Sequence, residues 1–181
     1  MASDARSSDS EPQAEELPPT VVHQDEAPGF ERRPSEHWGA MFQCLTPSMR
    51  PRGGSLNVNR MRLKPKTGGV PFHSHRREDE VFYVLEGRGV LRYGDEPLRE
   101  VGPGDCISCP AGLGIAHQLA NPFDKDLVYL AIGTYEPDEV CEYPDSGKVM
   151  VRGLGTVGRL TKTDYMDGEP ERPTPLDEPA P

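Results

Sequence analysis

The stretch Phe72-His73-Ser74-His75-Arg76-Arg77-Glu78-Asp79-Glu80-Val81-Phe82-Tyr83-Val84-Leu85-Glu86-Gly87 sets two histidines and a run of acids ahead of an apolar segment that ends in glycine. On a strand, side chains two apart point to one face, so His73 and His75 present their imidazoles together. Glu80 opens the apolar segment and shares its face with Phe82 and Val84. Glu78 points to that face as well and competes with Glu80. Glu80 is preferred because it adjoins the strand and stands six residues before Gly87. Arg76, Arg77 and Asp79 read as a solvated turn. A third histidine, His117, opens another strand after the turn Pro110-Ala111-Gly112-Leu113-Gly114. Two histidines, an acid and a distant histidine meet only where a sheet curls upon itself, as it does when a barrel closes.

Outward from this stretch, short apolar runs alternate with turn signals. Expected strands are Ala40–Leu45, Ser55–Leu63, Glu80–Glu86, Gly89–Tyr93, Cys106–Cys109, Ala116–Ala120 and Leu127–Tyr135. Glycine-rich punctuation falls at 52–54, 67–69, 86–89, 93–95 and 102–105. Val81–Leu85 and Leu127–Ile132 are apolar on both faces and read as strands buried on both sides. Leu56 and Val58 lie on one face of their strand, and Met61 and Leu63 on the other. A bulge near Asn59 would reconcile them. No amphipathic helix is evident, and 19 glycines and 20 prolines in 181 residues argue against a helical bundle. The pattern predicts an all-β sandwich or barrel.

The net charge of -10 belongs to the ends. Residues 1–31 carry -7 and residues 167–181 carry -4, which leaves residues 32–166 at +1. Both ends are rich in acids and proline and poor in apolar residues, so 1–31 and 167–181 are expected to be disordered acidic tails around one domain at 32–166. The near-neutral middle, with no basic run, argues against nucleic-acid binding. The longest apolar stretch, Leu127 to Gly133, is far short of the roughly 20 residues of a spanning helix, and Met1 to Pro19 has no signal-peptide core. No membrane partner and a cytoplasmic location are therefore expected. Cys44, Cys106, Cys109 and Cys141 give no disulfide framework in such a chain.

The spacing His73-x-His75-x4-Glu80-x6-Gly87 resembles the first motif of the cupins. Gly104-x5-Pro110-x-Gly112 followed by His117-x3-Asn121 resembles the second. Thr67 stands where the first motif begins with glycine, and Gly112 and His117 are separated by two residues more than usual, which Gly114-x2-His117 restores. The tracts Tyr143–Lys148 and Asp164–Glu169 are similar to those of bacterial single-domain members of that superfamily. The resemblance implies a double-stranded β-helix, or jelly-roll cupin barrel, with both motifs lining its interior, and a homodimer. Imidazoles and a carboxylate suit a divalent Fe, Mn, Ni or Zn ion, so His73, His75, Glu80 and His117 are the expected metal ligands. Three neutral ligands and one anionic one leave the ion at net +1, with positions open for water or substrate. The expected function is a metal-dependent enzyme, of oxygenase or isomerase/lyase type, acting on a small organic molecule. The alternative is a non-catalytic cupin that senses a small molecule or metal. No catalytic base stands out. Tyr83 and Tyr129 lie in expected strands, with Tyr83 facing away from Glu80, and Phe82, Met61 or Arg62 are candidates for the barrel mouth.

Other signals are set aside. Gly153-Leu154-Gly155-Thr156-Val157-Gly158 matches GxGxxG but lacks room for a βαβ unit. Cys106-Ile107-Ser108-Cys109 puts its thiols on opposite faces of a strand and reads as a small buried pair rather than a zinc or redox site. His23 falls in a tail, His37-Trp38 is expected to pack where the chain enters the barrel, and Asn121 reads as structural.

Overall fold

The computed structural model describes residues 17–173. Fourteen strands are present among them: β1 Gly29–Ser35, β2 Trp38–Cys44, β3 Leu56–Leu63, β4 Thr67–Gly68, β5 Ser74–His75, β6 Glu80–Glu86, β7 Gly89–Tyr93, β8 Arg99–Val101, β9 Cys106–Cys109, β10 His117–Asn121, β11 Leu127–Thr134, β12 Val140–Tyr143, β13 Lys148–Val151 and β14 Thr156–Gly158. Helix is limited to two single 3-10 turns, Arg50–Arg52 and Arg152–Leu154. Among the described residues no helix is long and apolar enough to cross a membrane.

The larger sheet runs in the order β8-β7-β10-β4-β2-β3-β11-β6-β9, with β1 paired to β2. Its end strands, β8 and β9, are successive in the chain and joined by the turn Gly102–Asp105, so the sheet has to roll up until its edges meet. The turn is tied to β6 by Val84 N–H donating to Asp105 O and Gly104 N–H donating to Val84 O, both at 3.0 Å. A second sheet, β14-β13-β12-β5, is bonded through β5 to the segment that carries His73 and His75. The result is the jelly-roll barrel that the motif spacing implies.

The barrel interior follows the period of two. Phe82 and Val84 of β6, Ile107 and Cys109 of β9, Leu119 of β10 and Met61 and Leu63 of β3 enter one buried cluster. Leu63 and Leu127 are opposite each other across β3 and β11, and both are fully buried. Asn121, 1% exposed, is structural as expected: its Nδ2 donates to Leu63 O and Lys125 O, and its Oδ1 accepts from Phe123 N–H.

Several expectations need correction. β3 pairs with β2 and β11 in unbroken register, so there is no bulge at Asn59; Leu56 is 42% exposed, and no second apolar face has to be reconciled. The irregularity is instead in β6–β11, where Val128 faces Glu86 and Tyr129 faces Val84, leaving Leu85 as the extra residue. β6 is buried on one face only, with Tyr83 40% exposed on the other. Cys106 is exposed and Cys109 buried, so the two are not a buried pair. The boundary expected at residue 31 falls inside β1, whose Gly29 to Glu31 pair with β2, and Glu31 accepts from Lys64 at 2.7 Å. Residues 1–16 and 174–181 of the two expected tails lie outside the described residues.

Glycine is required at the end of β6. Gly87 has φ +76°, and a Cβ there would stand 2.0 Å from the backbone oxygen of Asp126. Gly104 has φ +94° but open space around it. Gly87→Ala should therefore lower stability far more than Gly104→Ala, which costs about 1–3 kcal/mol in backbone strain. Leu63→Ala should cost about 2–5 kcal/mol through lost burial and the cavity left behind. Equilibrium unfolding in denaturant gives all three values.

Candidate metal centre

Four segments meet at one end of the barrel interior. His73 and His117 exchange both backbone hydrogen bonds: His73 N–H donates to His117 O at 3.1 Å, and His117 N–H donates to His73 O at 2.7 Å. His75 ends β5, which pairs with β12 through Cys141. The turn at 110–114 closes onto the first motif, with Gly112, at φ +76°, donating its N–H to His75 O at 2.9 Å. Ala111 N–H donates to Asp79 Oδ1 at 2.9 Å, so Asp79, exposed as expected, ties the two motifs together. Glu80 starts β6 and points inward beside Phe82.

The three imidazoles surround a single carboxylate oxygen. Glu80 Oε2 lies 2.9 Å from His117 Nε2, 3.3 Å from His75 Nε2 and 3.7 Å from His73 Nε2. One ligand atom from each of the four residues falls within 4.8 Å of the others. His73 Nδ1 is 2.8 Å from Pro71 O, which places the proton on Nδ1 and leaves Nε2 as a lone-pair donor. Both ring nitrogens of His75 and Nδ1 of His117 are buried without a hydrogen-bond partner, since His75 Nε2 is not aligned on Glu80. Buried polar atoms left unpaired are costly, and here they belong to a donor set that suits a divalent transition metal.

The electrostatics reflect this crowding. Burial would raise the Glu80 carboxyl, but the close imidazoles of His117, His73 and His75 outweigh it and hold the group well below the ordinary carboxylate range. Burial lowers His117, and Glu80 only partly offsets it. Burial also disfavours the His75 cation, yet Glu80, Glu139 and Glu78 together leave its pKa raised.

Glu78, the competitor of Glu80, goes elsewhere. Its carboxylate is gripped by Arg152, with Nη2 to Oε2 at 2.8 Å and Nη1 on Oε1. The cluster opens into a cavity of about 250 Å³. Phe82, Met61 and Tyr129 wall it, whereas Arg62 is not among its residues and lies 3.8 Å from Asp126. Tyr83 faces outward, as the alternation requires. One side of the wall gives no such signal in the sequence: Cys141, Tyr143, Met150 and Arg152 come from β12, β13 and the turn after them. The one available signal was the turn Tyr143-Pro144-Asp145-Ser146-Gly147-Lys148, which joins β12 to β13 and has the composition of a hairpin loop.

A rolled-up sheet thus encloses a cavity lined by three histidines and a glutamate. Residues 59–133 match the family described as Cupin domain. No curated protein sequence matches it. Among solved structures, the chain is similar to a sugar phosphate isomerase of the cupin superfamily from Silicibacter pomeroyi, with a TM-score of 0.61 and 27% identity over 72% of this chain and 85% of that one. It shares its fold with a predicted oxalate decarboxylase from Thermotoga maritima (TM-score 0.54, 23% identity, 64% of this chain and 99% of that one). It also shares its fold with the polyketide cyclase RemF from Streptomyces resistomycificus (TM-score 0.52, 23% identity, 64% and 78%).

Burial separates the cysteines. It pushes the thiols of Cys109 and Cys141 up to about 12, whereas Cys106 is exposed on the outer face of β9. Iodoacetamide should label Cys106 in the native protein and reach Cys109 and Cys141 only after unfolding. Mass spectrometry of the labelled peptides reads the order.

Proposed function

We propose that His73, His75, Glu80 and His117 hold a divalent metal ion, and that the protein is a metal-dependent enzyme acting on a small organic molecule in the barrel cavity. The observation that carries this reading is the convergence of three imidazole Nε2 atoms within 3.7 Å of one Glu80 oxygen. The donor set, three nitrogens and one oxygen, fits Fe, Mn, Ni or Zn. When bound, such an ion supplies Lewis acidity toward a substrate carbonyl or hydroxyl oxygen.

The chain's own residues do the rest. Glu80 contributes the single negative charge of the ligand set. The rings of Phe82 and Tyr129, packed edge to face with centroids 5.5 Å apart, keep water from the inner wall. Tyr143, whose ring centroid lies 6.1 Å from that of His73, lines the cavity wall over the ligands. An oxygen-bearing substrate of modest size matches a polar floor under partly apolar walls. Isomerisation or elimination beside a bound carbonyl is favoured over oxygen insertion, because the solved structure that shares 27% identity is a sugar phosphate isomerase. The same reading takes the protein as a cytoplasmic homodimer, which light scattering after size-exclusion chromatography tests.

Elemental analysis of the purified protein should find a stoichiometric divalent metal. His73→Ala, His75→Ala and His117→Ala should each lose most of it while keeping the β-sheet circular dichroism spectrum. Full occupancy in all three variants would overturn the ligand assignment. Turnover is then sought with a panel of hydroxy-aldehydes, hydroxy-ketones and hydroxy-acids, loaded and chelated enzyme side by side. Metal bound with no turnover on the panel would favour the sensor reading.

A further inference from the structure

Behind His75 stands a second layer of carboxylates that the proposed function does not use. His75 Nδ1 is buried and has no hydrogen-bond partner, yet two acids flank it: Glu78 Oε2 at 3.6 Å and Glu139 Oε1 at 3.7 Å. Glu139 is 0% exposed. Both acids are pinned from the far side. Glu139 accepts the backbone N–H of Arg76 at 2.7 Å and of Arg77 at 3.0 Å. Glu78 accepts the N–H of Glu136 at 2.7 Å and the two-pronged contact of Arg152, whose Nη1 also donates to Glu136 O at 2.6 Å. Neither acid can swing away from His75 without stranding buried donors.

His75, Glu78 and Glu139 also offer one ligand atom each within 4.8 Å. A second cation there would have to displace Arg152 and the backbone donors, which already take up these oxygens. The trio is better suited to orienting an imidazole. With two carboxylates beside Nδ1 and one, Glu80 at 3.3 Å, beside Nε2, the ring's proton is drawn to the Nδ1 side, and Nε2 is then the bare lone pair. His75 Nε2 is the atom that faces Glu80.

We propose that Glu139 and Glu78 are positioning residues that hold the proton of His75 on Nδ1 and so present its Nε2 as a ligand to the Glu80 cluster. The inference deepens the metal reading and rests on it for the predicted change in affinity, but not for the tautomer. It also explains why Glu78 is not a ligand: it acts through His75, clamped by Arg152 from the turn that follows β13. The paired acids behind a ligating histidine correspond to the outer carboxylates that fix ring orientation and basicity at metal sites.

The test uses the full chain, with cobalt(II) as the probe. In metal-free wild type at alkaline pH, long-range nitrogen–proton NMR of the His75 ring should show a protonated Nδ1 and a bare Nε2. In Glu139→Gln the side-chain amide faces the ring and should move the proton to Nε2. Cobalt(II) affinity, followed by its visible absorption, should then fall about 10–100-fold. Glu139→Asp, which restores a carboxylate, should recover part of the loss. Glu78→Gln should change the same two readouts in the same direction, and it serves where Glu139→Gln does not fold. A wild-type ring protonated on Nε2, or folded glutamine variants that bind cobalt(II) as tightly as wild type, would overturn the proposal. If wild type takes up no cobalt(II), the metal reading falls, and the wild-type tautomer alone decides the brace.

Discussion

Two backbone hydrogen bonds between His73 and His117 hold the molecule's chemistry together. They join segments 44 residues apart in the chain and set two imidazole rings with centroids 4.5 Å apart. A flat sheet could not bring these segments together. The contact exists because the nine-strand path from β8 to β9 begins and ends on either side of one short turn, which forces the sheet to close. Closure buries the inner face of β6, and with it comes Glu80. The apolar cluster around Leu63, Val84 and Leu127 supplies the free energy that holds the roll in place.

Gathering three imidazoles and an acid in a closed space has a cost. Desolvation opposes charge on Glu80, His75 and His117, and the cluster answers by concentrating its contacts on one oxygen of Glu80. Of the atoms left unpaired, His75 Nε2 faces Glu80, where a cation would engage it, and His75 Nδ1 faces the outer carboxylates. The second sheet contributes that layer. Glu139, just before β12, stands behind His75, and Arg152, just after β13, holds Glu78 beside it, while Cys141, Tyr143 and Met150 close one side of the cavity. The hairpin is thus a wall and a brace at once.

Much of this was legible in the sequence where strands are long and bounded by glycine. β6, β7 and β9 fall at the residues expected, because an apolar run between glycine turns has few other ways to fold. The two-residue spacing put His73 and His75 on one face; that Glu80 and His117 join them was implied by the resemblance to the two cupin motifs. Alternation could not separate Glu78 from Glu80, since both fall on one face; their different fates are decided by Arg152, 74 residues further on. β4, β5, β8 and β14 are two or three residues long, too short for any period to show. β1 is exposed along its whole length and carries no apolar stripe, so its start was read as tail. The bulge was sought at Asn59 on the premise that every apolar side chain must be covered. Leu56 is left in solvent instead, as a surface that remains largely apolar allows.

The most direct test is X-ray absorption spectroscopy at the edge of whichever metal the purified protein retains. The account predicts a first shell of three imidazole nitrogens and at least one carboxylate oxygen at about 2.0–2.2 Å, with the imidazole contribution reduced to two in His117→Ala. A first shell made only of water and carboxylate oxygens, or one unchanged in that variant, would contradict it.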